Sequence, residues 1–226
     1  NALHHAPNQA KAIPERIFSV DQAGSTIYLK HGYFIQQPEL FDSACFGMSP
    51  AEAKVTDPHQ RLLLQVGFSA LRTSGITRQA LQGAATGVFL GMGSGEWAST
   101  LVSSFSVTGS GACMAAGRLS YVFGLKGPCI SVDTACSSSL VAADSAYQCL
   151  QLGRCPDALV CGAHISLSPG LWVGCCAMHA LSPEGRCKTF DVSADGFGIG
   201  DGVNAVVIRR GACSDSRMHL VNCGIN

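Results

Sequence analysis

Cys136 is the residue of this sequence whose position best suits a nucleophile. It follows a strand-like run, Cys129–Asp133, and opens a helix-like run of small residues. At such a junction the unpaired N–H groups and the positive dipole end of the helix favour a thiolate. The same N–H groups can hydrogen-bond a carbonyl oxygen that becomes negative as the thiol attacks it. Because the neighbouring side chains are small and leave room for a substrate, the position predicts nucleophilic, covalent catalysis.

The other cysteines suggest a different role. The sequence has twelve, and several lie inside apolar runs, as Cys161 does within 158–162. This placement favours buried thiols over a disulfide framework, and hence a reducing, intracellular compartment, cytoplasmic or plastid. Cys149, Cys155 and Cys161 recur at even intervals close to His164, but short metal-ligand spacings are absent. We therefore predict no metal site.

Helices and strands are predicted to alternate around Cys136. In order, the sequence predicts helices that begin at Ser49-Pro50 and Asp57-Pro58, a buried strand at Thr86–Gly91, a helix at about 110–123 closed by Gly124, a strand at Cys129–Asp133, a helix at Cys136–Leu152, and strands at Ala158–Gly162 and Gly202–Arg209. Such alternation indicates an α/β fold with a mostly parallel sheet.

Composition narrows the classes of function. The 226 residues are 47% hydrophobic and 13% charged, with a formal net charge of zero. A nucleic-acid interface needs a clustered basic face, and a membrane span needs about 20 consecutive apolar residues. The sequence provides neither. Residues 1–12 are polar and are predicted to be a linker or frayed end; the start and end patterns lead us to expect part of a longer polypeptide.

Six segments carry a resemblance to one family. Val132–Leu140 (VDTACSSSL) resembles the active-site signature of β-ketoacyl synthases, in the form typical of polyketide synthases. Five further segments resemble other motifs of that family in the same order: Phe41–Pro50, Asp57–Leu64, Ala116–Tyr121 with Gly127-Pro128, Leu181–Lys188, and Asp195–Gly202. We therefore interpret residues 13–226 as a partial β-ketoacyl synthase domain, its N-terminal portion.

The resemblance implies a thiolase-like fold with αβαβα layers, a homodimer and a decarboxylative Claisen condensation. Cys136 would take an acyl chain from the phosphopantetheine thioester of an acyl carrier protein, and a decarboxylated malonyl unit would attack the acyl-cysteine. No bound cofactor is implied; the expected partners are the carrier protein and the rest of a larger polyketide synthase chain. Phe197 occupies the position of the family's gating phenylalanine between the acyl and malonyl sites.

The sequence also departs from the family pattern. The two catalytic histidines of the family lie in an HGTGT-like loop and an N-x-G-H motif. This sequence has seven histidines, but neither motif occurs in it. We assign no histidine a catalytic role, and we expect His59, on a predicted amphipathic helix, to be structural. The isolated 226 residues are therefore expected to accept an acyl group at best and not to complete a condensation.

Three alternatives remain. Chain-length or scaffold subunits related to the synthases lack the nucleophilic cysteine, whereas this sequence has Cys136. A thiolase-type acyltransferase would use coenzyme A thioesters, but the serine-rich signature favours carrier-protein substrates and polyketide over fatty-acid synthesis. A nucleotide-binding loop at Gly91–Gly95 fails the G-x-G-x-x-G spacing.

Overall fold

Strands and helices alternate in the computed structural model, which describes residues 11–12, 27–29, 31–93, 96–97, 103–211, 220 and 223–224. The strands are β1 (Lys11–Ala12), β2 (His31–Gly32), β3 (Gly87–Gly91), β4 (Cys129–Val132), β5 (Asp157–His164) and β6 (Gly202–Arg209). The helices are α1 (Pro50–Val55), α2 (Pro58–Thr73), α3 (Arg78–Leu81), α4 (Ser106–Ser110), α5 (Ala112–Phe123), α6 (Ser138–Gln151) and α7 (Gly170–Ala177).

The chain forms two compact units. The larger unit comprises Pro38–Ala163 and the described residues from Val203 onward. The smaller unit comprises His164–Gly202 and the described residues before Pro38. Cys136 therefore belongs to the larger unit, and Phe197 belongs to the smaller one.

The larger unit is built on a four-stranded sheet with the order β4-β3-β5-β6. β3 is parallel to both β4 and β5, which confirms the predicted parallel arrangement. Side chains alternate across β3: Val88 and Leu90 join an apolar cluster with α2 and α5, whereas Phe89 packs with Ala142 and Ala146 of α6. Since every residue of β3 is buried, the sheet lies between two helical layers.

Helix ends in the larger unit follow the capping signals in the sequence. The Ser49 hydroxyl accepts a hydrogen bond from the Glu52 N–H at 3.1 Å and caps α1. The Asp57 carboxylate accepts one from the His59 N–H at 2.8 Å and caps α2. Gly124 ends α5 with a φ of 72°, a conformation that costs glycine little. These three predictions are confirmed.

The smaller unit has its own apolar core around Trp172. This side chain is fully buried, and its ring stacks on Phe34 with the centroids 5.7 Å apart. Leu29, Leu181 and Ile199 pack in the same cluster. Trp172 lies on α7, a helix that was not predicted from the sequence.

The predicted linker or frayed end at residues 1–12 is described only at its last two residues. Lys11–Ala12 pairs antiparallel with His31–Gly32, and residues 1–10 lie outside the described residues, so the domain boundary at residue 13 stays a prediction.

Within the described ranges, no helix has the length and apolar character needed to cross a membrane.

Candidate active site around Cys136

Cys136 lies on a short turn between β4 and α6. The turn, Ala135–Ser137, is a 3₁₀ helix, and the α-helix proper begins only at Ser138. The predicted helix start at Cys136 was therefore two residues early. The physical reason is Ala135, whose φ of 55° is left-handed and keeps the preceding chain out of the α-helical path. The Cys136 thiol is exposed.

The conformation of Ala135 is strained and is held by its surroundings. A left-handed conformation costs a non-glycine residue about 1–2 kcal/mol. The Ala135 N–H donates to the Asp133 carboxylate at 3.0 Å, and the Ser137 hydroxyl donates to the Thr134 carbonyl at 2.9 Å. Strained backbone of this kind recurs at functional sites, where it presents a side chain that a relaxed chain would turn away.

Two glycines bring the start of α6 against the sheet. A Cβ at Gly91, the last residue of β3, would lie 2.3 Å from the Ser139 nitrogen and 2.4 Å from the Ser138 carbonyl carbon. A Cβ at Gly162 of β5 would lie 2.9 Å from the Ser139 Cβ. The turn that carries Cys136 is thus fixed at the carboxyl edge of the parallel strands, where open α/β sheets place their ligand sites.

The backbone N–H of Cys136 is the candidate donor to an oxyanion. The turn's own hydrogen bonds run from Ser137 to Thr134 and from Ser138 to Ala135, and the Cys136 N–H has no acceptor among the described residues. An N–H beside an exposed thiol can stabilise the oxyanion that forms when this thiol attacks a carbonyl carbon. The arrangement therefore suits acyl transfer to sulfur.

The described histidines lie in other environments. His59 is buried, and its Nδ1 lies 2.7 Å from the Asp57 carboxylate at the start of α2, as suits a structural residue. The His179 ring stacks on Tyr28 with the centroids 6.3 Å apart, and His164 ends β5. That no histidine of this chain has a catalytic role stays a prediction.

The evenly spaced cysteines are packing residues. Cys149 and Cys155 belong to the apolar cluster beneath α6, and Cys161 belongs to the cluster on the other face of the sheet. In the described part of the chain, no three side chains of the metal-binding types come together.

Phe197 has a fixed backbone and a half-exposed side chain. Its N–H donates to the Ala180 carbonyl at 3.1 Å, and its carbonyl accepts from the Ser182 N–H at 2.9 Å. Gly196 before it has a φ of 138°, and a Cβ there would lie 2.4 Å from the Leu181 carbonyl carbon. The residue is 46% exposed. Its role as a gate stays a prediction.

The exposed thiol of Cys136 is expected to react with an alkylating reagent, whereas the buried cysteines are not. Burial raises the pKa of the Cys161 thiol to about 12, and it also raises the pKa of the Cys155 and Cys175 thiols. Since the thiolate is the reactive form, iodoacetamide at about pH 8 is expected to spare these three residues in the folded protein. Peptide mapping should find the label on the exposed thiols, Cys113, Cys129, Cys136 and Cys187.

The raised pKa of the Cys161 thiol also predicts in which direction the stability of the protein changes with pH. The Cys161 thiol ionises near its ordinary pKa of 9.0 in the unfolded chain but near 12 in the folded protein. The unfolded chain therefore loses this proton first, and the free energy of unfolding should fall as the pH rises through about 9 to 12. Urea midpoints measured across this range should fall less steeply for Cys161→Val. An equal decline in both proteins would contradict the assignment.

Comparison with known proteins places this arrangement in a family. A family model described as the N-terminal domain of β-ketoacyl synthase matches residues 2–212. A polyketide synthase of Streptomyces halstedii is 42% identical over 207 residues, which cover 89% of this chain and 4% of that protein. An erythronolide synthase of Saccharopolyspora erythraea is 45% identical over 190 residues, which cover 82% of this chain and 5% of that protein.

Solved ketosynthase structures share the fold. The ketosynthase from module 6 of the bacillaene synthase of Bacillus subtilis 168 superposes with a TM-score of 0.75 at 35% identity, covering 89% of this chain and 34% of that one. An oxazolomycin ketosynthase domain of Streptomyces albus gives 0.78 at 31% identity, covering 89% and 38%. These likenesses confirm the predicted thiolase-like fold. The chain spans about a third of these ketosynthases and a far smaller share of the synthases above, and it belongs to the β-ketoacyl synthase family, whose N-terminal domain it matches.

Proposed function

We propose that this chain contributes the nucleophile of a polyketide-type 3-oxoacyl-[acyl-carrier-protein] synthase, and that Cys136 carries the acyl chain. The observation that carries the proposal is the exposed thiol of Cys136 on a strained turn at the carboxyl edge of the sheet, where its own N–H bonds to no described residue. Membership of the β-ketoacyl synthase family supports the same reaction.

The chemistry begins with acyl transfer to sulfur. The Cys136 thiolate attacks the carbonyl carbon of an acyl chain bound as a thioester to the phosphopantetheine of an acyl carrier protein. The Cys136 N–H donates to the resulting oxyanion. As the carbonyl re-forms, the carbon–sulfur bond to pantetheine breaks, and the pantetheine thiolate leaves and takes up a proton. A new thioester at Cys136 is the product, and the step needs no bound cofactor.

Condensation would follow on this acyl-cysteine. A malonyl-carrier thioester loses carbon dioxide, and the carbanion attacks the acyl carbon and expels the Cys136 thiolate. The family's two catalytic histidine motifs are not among the 226 residues. We therefore expect residues 1–226 alone to load an acyl group and to release no condensed product.

The experiment presents the protein with an acyl thioester on either an acyl carrier protein or coenzyme A. The intact mass is expected to rise by one acyl group with the carrier protein, and more slowly with coenzyme A. Faster loading from coenzyme A would favour a thiolase-type enzyme instead, and no loading from either would favour a scaffold subunit. Release of a carbon–carbon condensation product by residues 1–226 alone would contradict the expectation that these residues load an acyl group but do not complete the condensation.

We propose further that the chain works within a larger polyketide synthase and as a homodimer. The curated relatives are far longer than this chain, which supports the first statement. For the second, β4 is an edge strand of the sheet, and exposed strand edges invite pairing. Apolar side chains on β4 and on the two helices beside it are exposed: Met114, Tyr121, Ile130 and Leu140.

The eleven described cysteines are free thiols, which supports a reducing compartment, cytoplasmic or plastid.

Sedimentation tests the dimer. Ile130→Glu places a charge on the exposed edge strand and is expected to convert the protein to a monomer. Val206→Glu is the matched control, because Val206 is also exposed on an outer strand, β6, at the opposite edge of the sheet. A wild-type protein that sediments as a monomer, or equal effects of both variants, would contradict a dimer through β4.

A further inference from the structure

We infer that Ser138 is a positioning residue for acyl transfer, because its hydroxyl holds the turn that presents Cys136. This inference rests on the proposed role of Cys136 as the nucleophile. Ser138 is the first residue of α6 and is 5% exposed. It lies two residues after Cys136, and its hydroxyl bonds to the two residues that precede Cys136.

The hydroxyl makes two hydrogen bonds across the turn. It accepts from the Thr134 N–H at 2.8 Å and donates to the Ala135 carbonyl at 2.6 Å. A hydroxyl has one proton to donate and lone pairs with which to accept, so a single serine satisfies both backbone groups. Together the two bonds form a clip, by which we mean the Ser138 hydroxyl with its Thr134 and Ala135 partners.

The clip has a rigid anchor at one end and a strained residue at the other. The Ser138 backbone packs so closely on Gly91 of β3 that a Cβ there would lie 2.4 Å from the Ser138 carbonyl carbon. At the other end Ala135 is held at a φ of 55°. Without the clip, the Thr134 N–H loses its acceptor and the Ala135 carbonyl keeps the Ser138 backbone N–H but loses the hydroxyl donor, so the strained residue is held less tightly. Because Cys136 follows directly, its sulfur and its N–H would then lose their fixed direction.

The expected consequence is a slower chemical step. Acyl transfer requires the sulfur and the oxyanion donor to meet the same carbonyl group, and a displacement of about 1 Å at a reacting group can cost about 100-fold in rate. A hydroxyl on a residue that is 5% exposed is not expected to contact the acyl carrier protein. Loss of the clip should therefore lower the rate of Cys136 acylation at saturating carrier and leave the half-saturating carrier concentration unchanged.

The test compares four variants of the full chain with the wild type, using acylation by an acyl-carrier thioester as the readout. Ser138→Ala is expected to slow acylation at saturating carrier by about 10-fold or more. Ser138→Thr keeps the hydroxyl and should restore most of the rate. Ser145→Ala is the matched control, because the Ser145 hydroxyl donates to a carbonyl of the same helix, Val141, at 3.0 Å, away from the turn. Cys136→Ala tests the nucleophile itself.

The outcomes separate the inference from the proposed function. If Cys136→Ala still forms the adduct, the proposed function fails. If Cys136→Ala blocks the adduct but Ser138→Ala matches Ser145→Ala, only the clip is refuted. A Ser138→Ala protein that unfolds, or in which iodoacetamide labels the buried Cys149 and Cys161, would assign Ser138 a structural role and overturn the inference. A threonine variant no faster than the alanine variant would contradict it as well.

Discussion

Replacing Cys136 by alanine is expected to lower acyl loading from a carrier thioester by at least about 1,000-fold, to background, because the sulfur that would form the new thioester bond is removed. The fold should not change. The side chain is exposed, makes no hydrogen bond within the described part of the chain, and lies outside the apolar clusters. Thermal unfolding of the variant and the wild type should therefore coincide.

The control for this variant is Cys113→Ala. Cys113 is likewise an exposed thiol, but it lies on α5 and not on the turn. Its replacement should leave loading at the wild-type rate. If Cys136→Ala and Cys113→Ala load equally well, the thiol of Cys136 is not the acyl acceptor.

Replacing Gly91 by alanine is expected to destabilise the protein by about 3 kcal/mol, toward the upper end of the usual range for an overpacked interior. The new Cβ would meet backbone atoms of Ser138 and Ser139, which cannot rotate away as a side chain can. The start of α6 would have to move off the sheet, and the turn with Cys136 would move with it. We therefore expect acyl loading to fall together with stability.

Urea unfolding measures the effect, and Gly117→Ala provides the control. A Cβ at Gly117 of α5 would meet nothing within 4 Å, and alanine is favoured over glycine inside a helix by about 0.5–1 kcal/mol. Gly117→Ala should therefore be neutral or stabilising. A Gly91→Ala protein as stable as the wild type would show that α6 does not press on β3 as described.

The sequence predicted those parts of the fold that local chemistry determines. Ser49 and Asp57 mark helix starts because their side chains cap the N–H groups that follow, and the caps form as expected. It did not predict α7, because Gly174 interrupts the helical pattern and the helix is stabilised by tertiary packing of its buried residues, Trp172, Cys175 and Cys176. It also gave no sign that β4 lies at a sheet edge, since strand order depends on non-local pairing.

At the candidate site, the sequence indicated the nucleophile but not its supports. The strand-to-helix junction and the family signature both indicate Cys136. No local pattern reveals the left-handed Ala135 or the Ser138 hydroxyl that bonds back across the turn. One available signal, besides Gly162, was Gly91, because a glycine in a buried strand often marks a close backbone approach. Its partners, Ser138 and Ser139, became visible only in three dimensions.

Peptide mapping of the loaded protein tests the central claim most directly. The protein is incubated with an acyl-carrier thioester, digested and analysed by mass spectrometry for the residue that bears the acyl group. We predict a thioester on Cys136, with the other exposed thiols, Cys113, Cys129 and Cys187, unmodified. An acyl group on any of those three, with Cys136 left free, would contradict the account.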